Sequence, residues 1–324
     1  MLIDDYSRKI DYLRISITDR CNLKCIYCMP SYGIVNKAHQ ELLSFEEIVE
    51  IVKVAVPLGI DKIRLTGGEP LVRKDLINLI NLLSNIEGIK DISMTTNGIF
   101  LKEYAFDLKK AGLKRVNISL DSLRQARYKF ITRQDRLEDV LQGIRKSQEV
   151  GLLPLKINCL LLDDIGVGEL ADFFRLTMEN PVCVRFLEFM PINSFYRPEK
   201  FISSSVVLEI AKRFCKIEEV EILGNGPAKT YRFKHALGSF GIISPISNKF
   251  CASCNRLRLT SDGFLKLCLH SDLKVNLRDP LRNGADREAL IELFKLAIDL
   301  KPKEHSLDHE SPSIDEFSMC QIGG

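Results

Sequence analysis

Short strand-like runs alternate with amphipathic helical patterns over the first two thirds of this 324-residue chain. The predicted strands cover residues 12–18, 62–67, 91–97, 115–121, 155–162 and 184–190. Because no tight-hairpin signal separates them, we expect parallel strands joined by crossover helices. Six such units are too few for a closed eight-stranded barrel. The sequence therefore predicts an α/β fold built on an open, partial (β/α)6 TIM-type barrel, with a flat doubly wound sheet as the alternative.

The helix after the first strand has clear end signals. Ser44 is a candidate N-cap, Glu47 completes a capping box, and Gly59 is a candidate terminator. Similar amphipathic patterns occur at residues 73–86, 103–112, 136–151 and 167–180.

The pattern changes after about residue 215. Short strands with glycine-containing turns are predicted at residues 218–224, 229–234, 239–244, 256–263 and 264–270, with a tight turn at 261–263. A final helix is predicted over 285–300, and the polar remainder reads as a mobile tail. We therefore expect three parts: a barrel at 1–215, a small α+β region at 216–300 that closes its open side, and a tail at 301–324.

Composition bounds the class of protein. No apolar run approaches the roughly 20 residues that a membrane-spanning helix needs, and the amino terminus lacks a signal-peptide pattern, so a cytoplasmic location is expected. The net charge of +3 is too small to indicate nucleic acid as a partner. Ten cysteines in a reducing compartment indicate metal or redox chemistry rather than disulfides.

Three of these cysteines share one short loop, with C-x3-C-x2-C spacing. Cys21, Cys25 and Cys28 are one short of a closed zinc site, and the nearest imidazole is His39. A 4Fe–4S cluster takes one thiolate per iron, so three thiolates would leave one iron open. The spacing favours the cluster; zinc and incidental thiols are the weaker alternatives.

A second set has C-x2-C-x13-C spacing and consists of Cys251, Cys254 and Cys268. With His270 as a fourth ligand it could form a zinc ribbon, and on spacing alone zinc and iron–sulfur are about equal. Arg256 and Arg258 come shortly after Cys254, and alternation along a predicted strand places both on one face. Paired guanidiniums beside a metal site suit a multiply charged anion such as a triphosphate.

The first cysteine loop, with Tyr27 before its last cysteine, resembles the signature of the radical S-adenosylmethionine (SAM) superfamily. The GGEP stretch at 67–70 resembles the loop that receives the SAM amino group in that superfamily. Within it, the chain resembles the GTP 3′,8-cyclases of molybdenum cofactor biosynthesis. The likeness extends over residues 13–30, 63–76, 94–98, 117–122, 155–158, 185–191 and 244–269 and the terminal Gly323–Gly324.

The resemblance implies a role for individual residues. Each cysteine set would hold a 4Fe–4S cluster, the first binding SAM and the second meeting the guanine base. The residues implied in SAM contact are Tyr27, Gly68, Ser119 and Met190. Those implied in GTP contact are Arg14, Arg64, Thr95, Lys156, Arg256, Leu257 and Arg258. Those implied in catalysis are Arg14, Arg256, Arg258, Gly323 and Gly324.

The implied reaction begins with a 5′-deoxyadenosyl radical that removes the ribose 3′ hydrogen of GTP. The C3′ radical then attacks guanine C8, and reduction gives 3′,8-cyclo-7,8-dihydro-GTP. The implied partners are an electron donor such as flavodoxin or ferredoxin and the next enzyme of the pathway. The sequence does not decide whether the chain forms a homodimer. Asn193 stands where relatives often have glycine, so the loop after the sixth strand could differ.

Two rival functions remain at this point. A radical SAM peptide-modifying enzyme with an auxiliary cluster shares the first loop and extra carboxy-terminal cysteines, but does not need Arg256 and Arg258 or the double-glycine end. A non-catalytic zinc or iron–sulfur binding protein leaves GGEP unexplained.

Overall fold

The computed structural model describes residues 1–162, 165–190, 201–221 and 226–307. The strands in these ranges are β1 (Tyr12–Ser16), β2 (Lys62–Thr66), β3 (Asp91–Thr96), β4 (Arg115–Ser119), β5 (Leu155–Leu161), β6 (Val182–Glu188), β7 (Ile217–Glu219), β8 (Lys229–Phe233), β9 (Ser239–Ile243), β10 (Arg256–Leu259), β11 (Phe264–Lys266) and β12 (Lys274–Asn276). The helices are α1 (Phe45–Ala55), α2 (Leu76–Ser84), α3 (Leu101–Lys110), α4 (Gln125–Thr132), α5 (Leu137–Glu149), α6 (Val167–Glu179), α7 (Ser205–Phe214), α8 (Arg278–Arg282) and α9 (Arg287–Asp299).

All twelve of these strands belong to one sheet, in the order β12-β11-β10-β1-β2-β3-β4-β5-β6-β9-β8-β7. Strands β1 to β6 are parallel neighbours in chain order. No pairing joins β12 to β7 among the described residues, so the barrel is open. The predicted partial (β/α)6 barrel is confirmed.

The carboxy-terminal strands extend this sheet at both edges. Strand β10 pairs in parallel with β1, and β9 pairs in parallel with β6. The outer strands β11, β12, β8 and β7 then add in antiparallel fashion. An open parallel sheet leaves backbone donors and acceptors unpaired at its edges, and the added strands satisfy them. One continuous sheet therefore crosses the boundary expected near residue 215.

Local signals located several elements correctly. The α1 capping box is present, because Ser44 Oγ accepts from Glu47 N at 3.1 Å and Glu47 Oε2 accepts from Ser44 N at 2.7 Å. The tight turn at 261–263 joins the antiparallel strands β10 and β11, with Gly263 at φ +88°. Helices α4, α7 and α8 and strand β12 were not predicted. Their short runs bury few side chains, so tertiary contacts outweigh intrinsic propensity there.

The sequence predicts a mobile tail from residue 301, but three side chains among residues 301–307 are buried. Lys301, His305 and Leu307 are buried, with 4–7% of their surface exposed. The polar composition of this segment does not predict its burial, because the burial depends on distant backbone groups that accept hydrogen bonds from its side chains, as shown below. Within the described ranges, no helix has the length and apolar character needed to cross a bilayer.

Candidate functional site

The motif loops that follow strands β1 to β4 meet at one end of the barrel, as the carboxyl ends of parallel strands must. They enclose a cavity of about 230 Å³, here called the thiol cavity. Its lining includes all three cysteines of the first set and every residue predicted to contact SAM. These residues are Cys21, Cys25, Cys28, Tyr27, Gly68, Ser119 and Met190.

The end of helix α4 fixes the first cysteine loop. Ile26 N donates to Ile131 O at 2.9 Å, and Lys24 N donates to Thr132 O at 3.3 Å. Arg133 adopts a left-handed backbone at φ 59° and its Nη1 donates to Lys24 O at 2.8 Å and to Met29 O at 2.9 Å. The loop is therefore held by hydrogen bonds to backbone and side-chain groups more than 100 residues away in sequence.

Tyr27 connects the cysteine loop to the segment that follows strand β4. Its hydroxyl donates to Asp121 Oδ2 at 2.6 Å, and Asp121 Oδ1 accepts from Leu160 N at 2.8 Å. Burial raises the pKa of both Asp121 and Tyr27. Asp121 was not predicted, although it lies in the SLDS stretch that carries Ser119.

The glycines of the GGEP stretch allow two backbones to touch. A Cβ on Gly68 would lie 2.3 Å from Arg20 O, and one on Gly67 would lie 2.5 Å from Thr18 O. Gly68 N donates to Thr18 O at 2.7 Å, which fixes the stretch against the start of the cysteine loop. Only glycine fits so close an approach.

Glu69 connects the same stretch to strand β3. It is 1% exposed and accepts from Thr96 Oγ1 at 2.7 Å, Asn97 N at 2.7 Å and Leu71 N at 3.1 Å. Burial raises the pKa of Glu69 to about 7, against the effect of these hydrogen bonds. Glu69 therefore holds the loops in place and does not itself carry a predicted ligand contact.

A second cavity of about 350 Å³, here called the cationic cavity, lies in the barrel beside the first. Four residues line both cavities, and these are Thr95, Asn158, Leu187 and Met190. The two cavities therefore adjoin, and these four residues form a wall that they share.

Positive charge dominates the lining of the cationic cavity. Among the described residues it contains eight basic side chains, from Arg14, Lys62, Arg64, Arg115, Lys156, Arg185, Arg256 and Arg258. It contains two carboxylates, Asp91 and Glu188. Asp91 is paired with Arg115 at 2.5 Å, and Glu188 accepts from the backbone N–H groups of Ser204, Ile246 and Ser247 and from the Ser204 hydroxyl. The excess of cations suits a polyanion.

The basic side chains shift one another's titration. Burial and then Arg258 lower the pKa of Arg14 well below its usual value. Burial and then Arg256 lower that of Arg258 to about 10, and burial and then Arg185 lower that of Lys156 to about 8. Burial alone would raise the pKa of Tyr12, but Arg64 and Arg14 lower it to about 8. An anion bound here would relieve this repulsion.

The second cysteine set lies in the same cavity. Cys251, Cys254 and Cys268 line it together with His270, whose ring packs edge-to-face on His305 at 4.9 Å. Burial lowers the pKa of His270 to about 3. Six of the predicted GTP-contacting residues line the two cavities, with Thr95 in both.

Leu257 is placed differently from its neighbours Arg256 and Arg258. Its side chain is fully buried in the hydrophobic core on the other face of β10. A contact between Leu257 and a substrate would therefore use its backbone.

Each cavity offers three thiols as candidate ligands. Among the described residues, no three His, Cys, Asp or Glu side chains are placed to hold one metal ion. A tetrahedral zinc ion needs its ligands to converge on one point, whereas the irons of a 4Fe–4S cluster each take a separate thiolate. Three thiols around one cavity wall fit the second arrangement.

Some residues that line the cavities were not predicted from the sequence. Arg185 lines the cationic cavity and its Nη2 donates to Asn158 Oδ1 at 2.6 Å. A charged residue inside the apolar run of β6 was the available signal. Gly323, Gly324 and Asn193 lie outside the described residues. A larger groove of about 860 Å³ on the surface of α2 and α3 carries none of the cysteines, so its size does not make it a candidate.

Solved structures share the fold. Streptococcus suis SuiB bound to the precursor peptide SuiA superposes with a TM-score of 0.63 over 98% of this chain and 77% of that chain, at 15% identity. The protein anSMEcpe with bound AdoMet gives a TM-score of 0.51 over 63% of this chain and 56% of that chain, at 18% identity.

Sequence comparisons identify the family. Residues 15–177 match the Radical SAM superfamily, and residues 182–307 match Molybdenum Cofactor Synthesis C. A GTP 3′,8-cyclase of Peptoclostridium acidaminophilum is 50% identical over 100% of this chain and 98% of its own length. Those of Petrotoga mobilis and Moorella thermoacetica are 47% and 46% identical over at least 99% of both chains. This chain therefore belongs to the radical SAM superfamily and, within it, to the GTP 3′,8-cyclase family.

Proposed function

We propose that this protein is a GTP 3′,8-cyclase that makes 3′,8-cyclo-7,8-dihydro-GTP for molybdenum cofactor biosynthesis. The observation that carries the proposal is the junction of two cavities, each with its own three-cysteine set and with a strongly cationic wall in the second. Full-length relatives with this name support it.

The thiol cavity is the proposed site of SAM and of the first 4Fe–4S cluster, with Cys21, Cys25 and Cys28 as ligands. When bound, the cluster would supply the one electron that splits SAM into methionine and the 5′-deoxyadenosyl radical. Tyr27, Gly68, Ser119 and Met190 orient SAM. Mostly apolar walls around it would keep water away from a reactive species.

The cationic cavity is the proposed GTP site. Arg14, Arg64 and Lys156 bind phosphate oxygens, and Arg256 and Arg258 add charge from β10, the strand beside β1. Thr95 lies on the shared wall, which suits contact with the ribose that must face the thiol cavity. Binding in this orientation would hold the 3′ hydrogen near the source of the radical.

The second cysteine set is the proposed holder of a second 4Fe–4S cluster, near the guanine base. We also propose the division of the chain into a SAM-binding part at 1–215, an auxiliary part at 216–300 and a carboxy-terminal segment at 301–324. Gly323 and Gly324 stay predicted catalytic residues of that segment. The proposed partners are a low-potential electron donor such as flavodoxin or ferredoxin and the enzyme that consumes the product.

A single reaction tests the proposal. The full chain, reconstituted with iron and sulfide under anaerobic conditions, is incubated with SAM, dithionite and GTP deuterated at the 3′ position. We expect deuterium in 5′-deoxyadenosine and a cyclised guanine product, both detected by mass spectrometry. SAM cleavage that does not depend on GTP, or 5′-deoxyadenosine without deuterium, would contradict it.

Iron analysis provides the accompanying control. About eight irons per chain are expected for two 4Fe–4S clusters, and about four for Cys251→Ala or for Cys21→Ala. Tightly held zinc in place of iron at the second set would contradict the second cluster.

A further inference from the structure

The segment after helix α9 covers the second cysteine set. Lys301 is 4% exposed, and its Nζ donates to Arg256 O at 3.0 Å and also to Leu267 O. Arg256 follows Cys254 by two residues and Leu267 precedes Cys268 by one. One ammonium group thus bonds to both backbone stretches that carry these cysteines.

The amino terminus fastens the same segment by a second route. Arg8 is 6% exposed, and its Nη1 donates to Cys251 O at 3.0 Å and to Lys303 O at 2.8 Å. Its Nη2 donates to Pro302 O at 2.7 Å. Together, Arg8 and Lys301 reach the backbone beside all three cysteines.

Arg8 and Lys301 differ in whether a carboxylate is paired with them. Arg8 is paired with Asp4, at 2.6 Å from Nε to Oδ2. Over the described ranges, Lys301 forms no ion pair with a carboxylate within 4.0 Å. Burial lowers the pKa of Lys301, whereas Cys254 and Cys268 act to raise it and Asp4 acts more weakly in the same direction. A buried positive charge without a carboxylate acts strongly on its neighbours, because the local dielectric is low.

We propose that Lys301 is a positioning residue for the second cysteine set, and that its charge raises the reduction potential of the cluster held there. The inference rests on the proposed function, because it requires that set to hold a cluster. A positive charge favours the more negative, reduced form of a nearby cluster, and net charge and hydrogen bonding are main determinants of iron–sulfur potentials. The ammonium also bonds to both backbone stretches, so it would hold Cys254 and Cys268 in a fixed position relative to each other.

The test isolates the second set. Cys21, Cys25 and Cys28 are replaced by alanine in the full chain, so that only the second set binds iron. Lys301→Met, Lys301→Arg and Lys303→Met are made in this background. Lys303 is exposed and two residues away, which makes it a matched control for loss of a lysine charge. Iron content and the midpoint potential, from a redox titration followed by electron paramagnetic resonance, are measured for each.

We expect about four irons per chain in the background protein, in Lys301→Arg and in Lys303→Met, all with the same potential. Lys301→Met should retain iron with a lower potential, or lose iron that Lys301→Arg retains. An unchanged or raised potential in Lys301→Met would overturn the inference, as would loss of iron from both Lys301 variants. Absence of iron from the background protein itself would instead count against the proposed second cluster, so the two failures are distinguishable.

Discussion

Arg14 on β1 and Arg258 on β10 are register partners on adjacent parallel strands, and both line the cationic cavity. Arg64 is the register partner of Arg14 on the other side. Three arginines from strands 50 to 244 residues apart in sequence thus form one row across the sheet. The three positive charges repel one another, so the row is unfavourable by itself. A bound anion would reduce this repulsion.

Arg14→Met should weaken GTP binding by about 10- to 100-fold, since a charge-assisted hydrogen bond contributes about 1.5–3 kcal/mol. The thermal stability of the ligand-free chain should stay the same or rise, because a buried cation beside two others is removed. Calorimetric titration with GTP and thermal unfolding measure the two effects. Arg145→Met, at an exposed surface ion pair, is the control and should change neither. GTP affinity within twofold of wild type in Arg14→Met would contradict the assignment.

Gly68→Ala should destabilise the ligand-free protein by at least about 2 kcal/mol and lower its affinity for SAM. The added Cβ would sit 2.3 Å from Arg20 O, so the backbone of the cysteine loop must move. Gly166→Ala is the matched control, because no atom lies within 4 Å of a Cβ at that position and the change should cost only about 1 kcal/mol, since alanine is a poorer N-cap of α6 than glycine. Urea unfolding and equilibrium binding of SAM provide the readouts. Equal stability of the two variants would show that the loop yields without cost.

Asp121→Ala should cost about 1–3 kcal/mol of unfolding free energy, since it removes a buried carboxylate that accepts hydrogen bonds from Tyr27 Oη and Leu160 N. The first cluster should also be retained less well, whereas the second should be unaffected. The measurements are urea unfolding of the apoprotein and iron content after reconstitution. Tyr27→Phe in the same background tests the pairing: the two changes together should cost less than the sum of each alone. Strict additivity would argue against a functional link between these residues.

Glu69 should make stability depend on pH. Its pKa is about 7 in the folded protein against an ordinary value of 4.5, so the native state binds this proton more tightly. The stabilising contribution is therefore full below about pH 4.5 and is lost as the pH rises to about 7, with a total of about 3 kcal/mol by linkage.

Glu69→Gln removes this titration. The difference in urea midpoint between wild type and Glu69→Gln should change in favour of the variant as the pH rises from 4.5 to 7.5. Glu50→Gln, on the exposed face of α1, is the control and should show no such trend. A difference that is flat over this pH range would mean that Glu69 titrates at its ordinary value.

Much of the local structure and chemistry could be predicted from short stretches of sequence. The Ser44–Glu47 capping box and the alternation of the parallel strands depend on neighbours in the chain, so local patterns reveal them. The C-x3-C-x2-C spacing is likewise contained in one loop, and the parallel βα order places the loops after β1 to β4 at one end of the barrel.

The remaining features depend on pairings between distant segments, which no local pattern encodes. Tyr27 meets Asp121 across 94 residues, and Arg8 meets Cys251 across 243. The burial of Lys301 in a polar segment follows from acceptors supplied by Arg256 and Leu267. The sequence by itself determined the barrel and both cysteine sets; the tertiary structure alone decided that β10 adds beside β1 and so brings the second set and the arginine row into one cavity. The physical reason is that the free edge of β1 has unpaired backbone donors and acceptors, and β10, more than 200 residues away in sequence, pairs with them.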